Sequence, residues 1–190
     1  MRKIILLEHV SLDGFVGGPN GEMDWIHVDD AMFDAVGKLT DDADVALYGR
    51  VTYQMMDSYW PTAADQPGAT KHDIEHSHWY NKATKVVFSR TMKQVTKNNT
   101  RIIHDNIEEE INELKSQAGK NMLMIGSPAA AQTLMQSNLI DEYWLHVNPV
   151  VLGHGIPLFK DIKEKINLTL IDVKNYNGGV VGFQYQAIKS

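Results

Sequence analysis

Three short junctions in this chain of 190 residues combine residue types that bind anions. The apolar run Val45-Ala46-Leu47-Tyr48 stops at Gly49-Arg50-Val51-Thr52. Glycine lets a ligand come close to the backbone, and arginine offers a planar fork of donors matched to a phosphate. Thr52 adds a hydroxyl and a possible helix cap, and a helix starting near Val51 presents free N–H groups to an anion. A second apolar run ends at Ser89-Arg90-Thr91, and a third at Gly126-Ser127-Pro128-Ala129-Ala130. Arg50, Thr52, Ser89, Arg90 and Thr91 together suit a phosphomonoester such as the 2′-phosphate of NADPH. Ser127 is a good N-cap and Pro128 a good first helical residue, so the N–H groups near Ala129 and Ala130 suit a pyrophosphate. No Gly-x-Gly-x-x-Gly run follows the first strand and no Walker sequence occurs, which sets aside the familiar Rossmann and P-loop solutions.

The surrounding pattern predicts the elements that must hold these junctions. Ile4–Val10 reads as a buried strand left by the turn Ser11-Leu12-Asp13-Gly14, and Gly17-Gly18-Pro19-Asn20-Gly21 as a mobile surface loop. Met32, Phe33, Val36 and Leu39 share one face of a helix over 29–39. Strands are expected over 44–48, 85–89, 121–125 and 142–147, and helices over 52–59 and from Ile107 to Ala118, the latter capped by Asn106 with Glu109 completing the box. Residues 62–70 read as a loop. Leu168–Lys174 and Val180–Ala187 flank Asn177-Gly178-Gly179 as a hairpin. Strands that alternate with helices early and follow one another late imply one α/β domain over 1–190. Its sheet is mainly parallel, with antiparallel C-terminal edge strands and helices on both faces. Ligands bind such sheets beyond the carboxyl ends of the strands, where the three junctions lie.

Composition narrows the function classes. A net charge of −6 with no long basic run argues against nucleic acid as a partner. The absence of cysteine removes disulfides, thiolate metal sites and a cysteine nucleophile, and fits a cytoplasmic setting. The N-terminal apolar run meets Glu8 and His9 far short of a signal-peptide core, and no stretch approaches a membrane span.

In this order the motifs resemble the dihydrofolate reductase-like superfamily, and within it the reductase (C-terminal) domain of the riboflavin-biosynthesis bifunctional deaminase-reductase. Ser11-Leu12-Asp13-Gly14, Gly49-Arg50-Val51-Thr52-Tyr53, Ser89-Arg90-Thr91 and Gly126-Ser127 carry the likeness. It continues through Leu139-Ile140-Asp141-Glu142-Tyr143-Trp144-Leu145 and Pro149-Val150-Val151-Leu152-Gly153-His154-Gly155 to Leu158-Phe159. The resemblance implies an NADPH-dependent oxidoreductase acting on a pterin-like or ribosylaminopyrimidine-type heterocycle, often as a homodimer. It implies that Gly49, Arg50, Thr52, Ser89 and Arg90 hold the 2′-phosphate end, and that Gly126, Ser127, Ala129 and Ala130 face the pyrophosphate. The loop through Gly14–Gly21 would then cover the nicotinamide. The family often has two glycines where this chain has Gly126-Ser127, and the zinc motif of the deaminase half is missing. The alternative is a non-catalytic nucleotide- or pterin-binding protein of the same fold.

Three acids are candidates at the catalytic centre. Asp30 and Asp29 follow Trp25 by a few residues, which loosely resembles the acid after a tryptophan in folate reductases and offers a proton donor, and Asp13 in the first turn is a competing substrate contact. Each has a plainer role: Asp29 as a helix cap, Asp30 favouring the first helical turn, Asp13 as a turn former. His72 and His76 stand four apart without an evident third ligand, and read as a solvated helix face rather than a metal site.

Overall fold

The computed structural model describes residues 1–95 and 99–189. The chain packs as two compact units, residues 1–2 with 30–123 and residues 3–29 with 124 to the C-terminus.

The first unit is built on three parallel strands, β3 (Ala43–Gly49), β4 (Thr84–Phe88) and β5 (Thr100–Ile103). The register aligns Gly49 with Phe88 and Phe88 with Ile103, so the three strands end level with one another. Around them lie α1 (Asp30–Asp41), α2 (Arg50–Tyr59), a 3-10 helix (Trp60–Asp65), α3 (Lys71–Lys82) and α4 (Ile107–Ser116). Ala46, Tyr48, Tyr53, Tyr80 and Val87 form a core against which Met56, Trp60 and Trp79 pack. Lys85 is buried on β4 with its amine end hydrogen-bonded. Its ammonium donates to the Tyr80 and Ala83 carbonyls at 2.7 and 2.9 Å and lies 4.8 Å from the centre of the Tyr80 ring.

The second unit carries β1 (Ile4–Ser11), β2 (Phe15–Gly17), α5 (Pro128–Gln136), β7 (Glu142–Asn148), β8 (Ile156–Pro157), β9 (Leu168–Asn175) and β10 (Val181–Ala187). Strand β1 runs parallel to β7; β10 is antiparallel to both β7 and β9. Short β2 and β8 pair apart from the main sheet. With β6 (Asn121–Ile125), the main strand order is β5-β4-β3-β6-β1-β7-β10-β9. The result is a mainly parallel sheet with an antiparallel edge and helices on both faces, as the sequence pattern implies. No helix among the described residues is long and apolar enough to cross a membrane.

Local differences from the sequence reading have physical causes. The segment of His72 and His76 is helical as expected, in α3, and is started by a complete capping box in which Thr70 and Asp73 exchange hydrogen bonds. Helix α2 begins at Arg50 with Gly49 as N-cap, so Thr52 is the third helical residue and not the cap. Asn106 precedes α4 in a left-handed conformation, φ 52°, and its side chain makes no cap bond. The helix ends at Ser116, two residues before Ala118. The stretch 62–70 opens inside the 3-10 helix, because Pro61 is favourable near a helix start. Gly17 is strand rather than loop, and Gly18 and Gly21 close a hydrogen-bonded turn with Glu22.

Candidate functional site

In the first unit, register alone brings two of the phosphate-binding junctions together. Gly49 and Phe88 are partners, so Arg50 and Ser89 leave the sheet side by side, at the strand spacing of about 4.8 Å. Gly49 is extended, φ −78°, and its use here is the missing Cβ rather than an unusual backbone angle. The first N–H groups of the ten-residue α2 lack intrahelical acceptors by helix geometry and carry the positive end of its dipole. Arg50 is exposed, with Nη1 resting 3.0 Å from Gln54 Oε1, a weak tether that an anion can displace. Ser89 shapes the turn that carries Arg90: its Oγ accepts from the backbone N–H groups of Thr91 and Met92 at 3.3 and 3.0 Å. Arg90 is exposed on that turn. Thr52, two residues further into α2, is half-buried, as Ser89 is.

In the second unit, β6 ends where Gly126 and Ser127 both adopt left-handed conformations, φ 71° and 70°. That explains a glycine pair at this point, since a side chain in this region costs about 1–2 kcal/mol. Ser127 occupies the N-cap position but makes no side-chain cap bond. Pro128 begins α5 as expected, and the Ser127 carbonyl accepts from Ala131 at 2.9 Å. The N–H groups of Ala129 and Ala130 sit in the first turn, where α-helices leave donors open, and their small side chains let an anion come near.

The acids have separate fates. Asp13 is a strap: it accepts from Ser11 Oγ at 2.7 Å and from the backbone N–H groups of Leu152 and Gly153 at 3.1 and 2.7 Å. The Ser11 hydroxyl foremost, with those amides, holds its carboxyl down at about 2. Asp29 accepts from the Asn177 N–H at 2.8 Å, tying the segment before α1 to the β9–β10 turn. Asp30 is exposed as the first residue of α1.

The sequence reading passed over Glu8, which is 6% exposed on β1 with no hydrogen-bond partner for Oε1. Burial pushes its carboxyl up to about 8, so it is a proton donor at neutral pH rather than a carboxylate. A lone charged residue inside an apolar run was the signal that could have found it. The next residue, His9, is the register partner of His146 on β7, with ring centres 4.9 Å apart and Tyr176 5.2 Å beyond. Burial lowers the two imidazoles to about 3 and 4, leaving them neutral. A second missed residue is His104, just past β5, whose Nδ1 lies 2.7 Å from the Ser89 carbonyl.

His72 and His76 are not a solvated face. His76 is buried, its ring centre 4.0 Å from that of Trp60 and 5.1 Å from that of Trp79, and neither nitrogen has a partner. His72 stacks on Phe33 at 4.1 Å. Trp60 and Trp79 shield a helix face whose polarity in sequence suggested solvent. Among the described residues, no group of three or more His, Asp or Glu side chains is placed to hold a metal ion.

Comparison with known proteins agrees with this architecture. The protein YyaP of Bacillus subtilis (strain 168), itself described as uncharacterized, is 38% identical over 186 residues, spanning 97% of this chain and 94% of YyaP. The same organism's YwjB, described likewise, is 26% identical over 180 residues, 94% of this chain and 95% of YwjB. A pyrimidine reductase-like protein from Corynebacterium diphtheriae superposes with a TM-score of 0.69 at 12% identity, over 100% of this chain and 93% of that one. The deaminase/reductase of Thermotoga maritima superposes with a TM-score of 0.67 at 12% identity, over 98% of this chain but 57% of the longer enzyme. At those identities the two structures establish the fold. The family model of the RibD C-terminal domain matches residues 2–182, and this chain belongs to that family.

Proposed function

We propose that the protein is an NADPH-dependent reductase of a pterin-like or ribosylaminopyrimidine-type heterocycle. The observation that carries the reading is the level ending of β3 and β4, which sets Arg50 beside Ser89 and the turn bearing Arg90. Two guanidinium groups, a serine and an open helix start fit a phosphomonoester. They would hold the 2′-phosphate; in the second unit, taken by itself, the α5 N-terminus offers N–H donors of the kind a pyrophosphate needs. When bound, NADPH supplies the hydride. The chain's own residues bind and orient it, and one of them supplies a proton to the reduced heterocycle. Asp13 and Asp29 are engaged with backbone N–H groups, so Asp30 and the protonated Glu8 are the acids left for that role. The engagement of Asp13 and Asp29 is also what favours the second reading, a nucleotide- or pterin-binding protein without turnover.

Calorimetric titration with NADPH and NADH tests the cofactor. Arg50→Ala is expected to weaken NADPH by about 1.5–3 kcal/mol, ten- to a hundredfold, and to leave NADH nearly unchanged. Equal losses for both would remove Arg50 as the 2′-phosphate reader. Turnover of ribosylaminopyrimidine and pterin substrates, lost in Asp30→Asn or Glu8→Gln with NADPH affinity intact, would identify the acid. NADPH bound with no turnover of either class would leave the binding-protein reading. The same proposal includes a cytoplasmic setting and a homodimer. Edge strand β9 exposes Leu170, Ile171 and Val173, and sedimentation as a monomer at micromolar concentration would discard that assembly.

A further inference from the structure

We infer that His104 is a third reader of the 2′-phosphate, acting through Nε2 beside Arg50 and Arg90. The inference rests on the reading of those arginines as phosphate ligands and adds a group that no sequence motif marks.

The geometry is that of three adjacent strand ends. Gly49, Phe88 and Ile103 form one register row across β3, β4 and β5, so Arg50, Ser89 and His104 leave the sheet together, spanning about 10 Å at the usual strand spacing. Ser89 is anchored to β5 by its N–H, which donates to the Ile103 carbonyl at 3.0 Å. His104 answers with Nδ1, 2.7 Å from the Ser89 carbonyl. A carbonyl only accepts, so Nδ1 carries the hydrogen, and the tautomer is settled by the backbone rather than by solvent. Nε2 then has two states. In the neutral ring it is a bare acceptor, repelled by a phosphate oxygen; in the cation it is a donor that can bind one. The ring is exposed at this edge, so a ligand can reach it.

The charged groups nearest His104 by register and chain are Arg50 and Arg90 after the neighbouring strand ends, Asp105 next in the chain, and Glu108, Glu109 and Glu110 in the first turn of α4. Arg101 on β5 is taken up by Glu110 and does not compete for the ligand. A third donor beside two arginines adds to the discrimination between NADPH and NADH whenever Nε2 carries a hydrogen.

The test is the ratio of NADPH to NADH affinity at pH 6 and pH 8.5, in the wild-type protein and in His104→Asn. Asparagine is the informative replacement because its amide N–H stands where Nδ1–H stood, keeping the bond to the Ser89 carbonyl while removing Nε2. The phosphate's own second ionisation, near pH 6, contributes equally to both proteins and cancels in the comparison. The expected result is a ratio about tenfold lower in the variant at pH 6. A ratio unchanged by the substitution at both pH values, with NADPH still preferred, would overturn the role of His104 and leave the cofactor reading standing. A loss shared equally by NADPH and NADH would also overturn it, by assigning His104 to the Ser89 turn alone. Failure of the wild-type protein to bind NADPH at either pH would remove the cofactor reading and this inference with it.

Discussion

Glu8→Gln is expected to remove a loss of stability that the wild-type protein should undergo as pH rises from about 7 to about 8. The carboxyl ordinarily titrates at 4.5, but burial on β1 pushes it up to about 8. Between those values the unfolded chain has released the proton and the folded one keeps it. Folding therefore binds a proton, and stability falls as pH rises through the window. At about 1.4 kcal/mol per pKa unit, the total is on the order of 4–5 kcal/mol, a large share of an ordinary domain's stability. The buried histidines slope the other way. His9, His76 and His146 lie at about 3, 3 and 4 in the folded protein, against 6.5 when free. Below pH 6.5 the unfolded chain takes up protons that these rings refuse, so stability falls on acidification. Three such groups outweigh one carboxyl between pH 4.5 and 6.5, and the carboxyl prevails only above about pH 7, once the unfolded histidines have released their protons. The maximum should fall at about pH 7. Glutamine keeps the shape of the protonated acid and cannot ionise. The histidines act alike in both proteins, so the stability of the wild type relative to Glu8→Gln should fall by about 1–2 kcal/mol between pH 6.5 and 8, read from urea midpoints at pH 6.5, 7.25 and 8. Parallel pH profiles in both proteins would mean that Glu8 is already ionised in the fold and is no proton source.

The limits of the sequence reading follow from where the information lies. Strand β6 occupies the expected residues, because Met122, Leu123 and Met124 are an apolar run bounded by polar and glycine residues. The α5 start and the hairpin around Asn177–Gly179 were equally legible, since proline and glycine act through their own backbones. Strand β5 was not, because only Ile102 and Ile103 mark it and its place is set by pairing with β4. His104 was lost with it. Glu8 and His76 were hidden for a related reason. A polar residue is assigned to solvent until the groups that cover it are known, and for His76 those are Trp60 and Trp79 from other segments. The arginine pair was visible as a motif, but only the register shows that two junctions separated by some forty residues leave adjacent strands. Asp13 looked like a candidate acid because its partners, the Leu152 and Gly153 amides, lie far along the chain.

Gly155→Ala should destabilise the protein by about 3 kcal/mol or more, while Gly153→Ala, two residues away, should cost only about 1–2 kcal/mol. Both glycines belong to the segment that Asp13 straps down. At Gly153, φ is 75° and an added Cβ meets nothing within 4 Å, so only the left-handed backbone resists a side chain. At Gly155, φ is 155°, a conformation essentially reserved for glycine, and an added Cβ would stand 2.2 Å from the Gly17 carbonyl oxygen. That oxygen belongs to β2, where Gly17 pairs with Ile156 of β8 and cannot move without giving up the pairing. The same zipper includes the Leu12 N–H to the Val150 carbonyl at 2.8 Å and the Leu158 N–H to the Gly14 carbonyl at 3.0 Å. Gln132 of α5 adds a further tie, its amide donating to the Pro157 and Leu158 carbonyls at 2.9 and 3.2 Å. The methyl group must therefore separate β8 from β2 and pull on Asp13, and the cost is the strain together with those bonds. Urea denaturation of both variants reads the difference directly. Equal and small losses would show that the segment 152–157 is held away from Gly17, and that Asp13 is free to act as an acid rather than a strap.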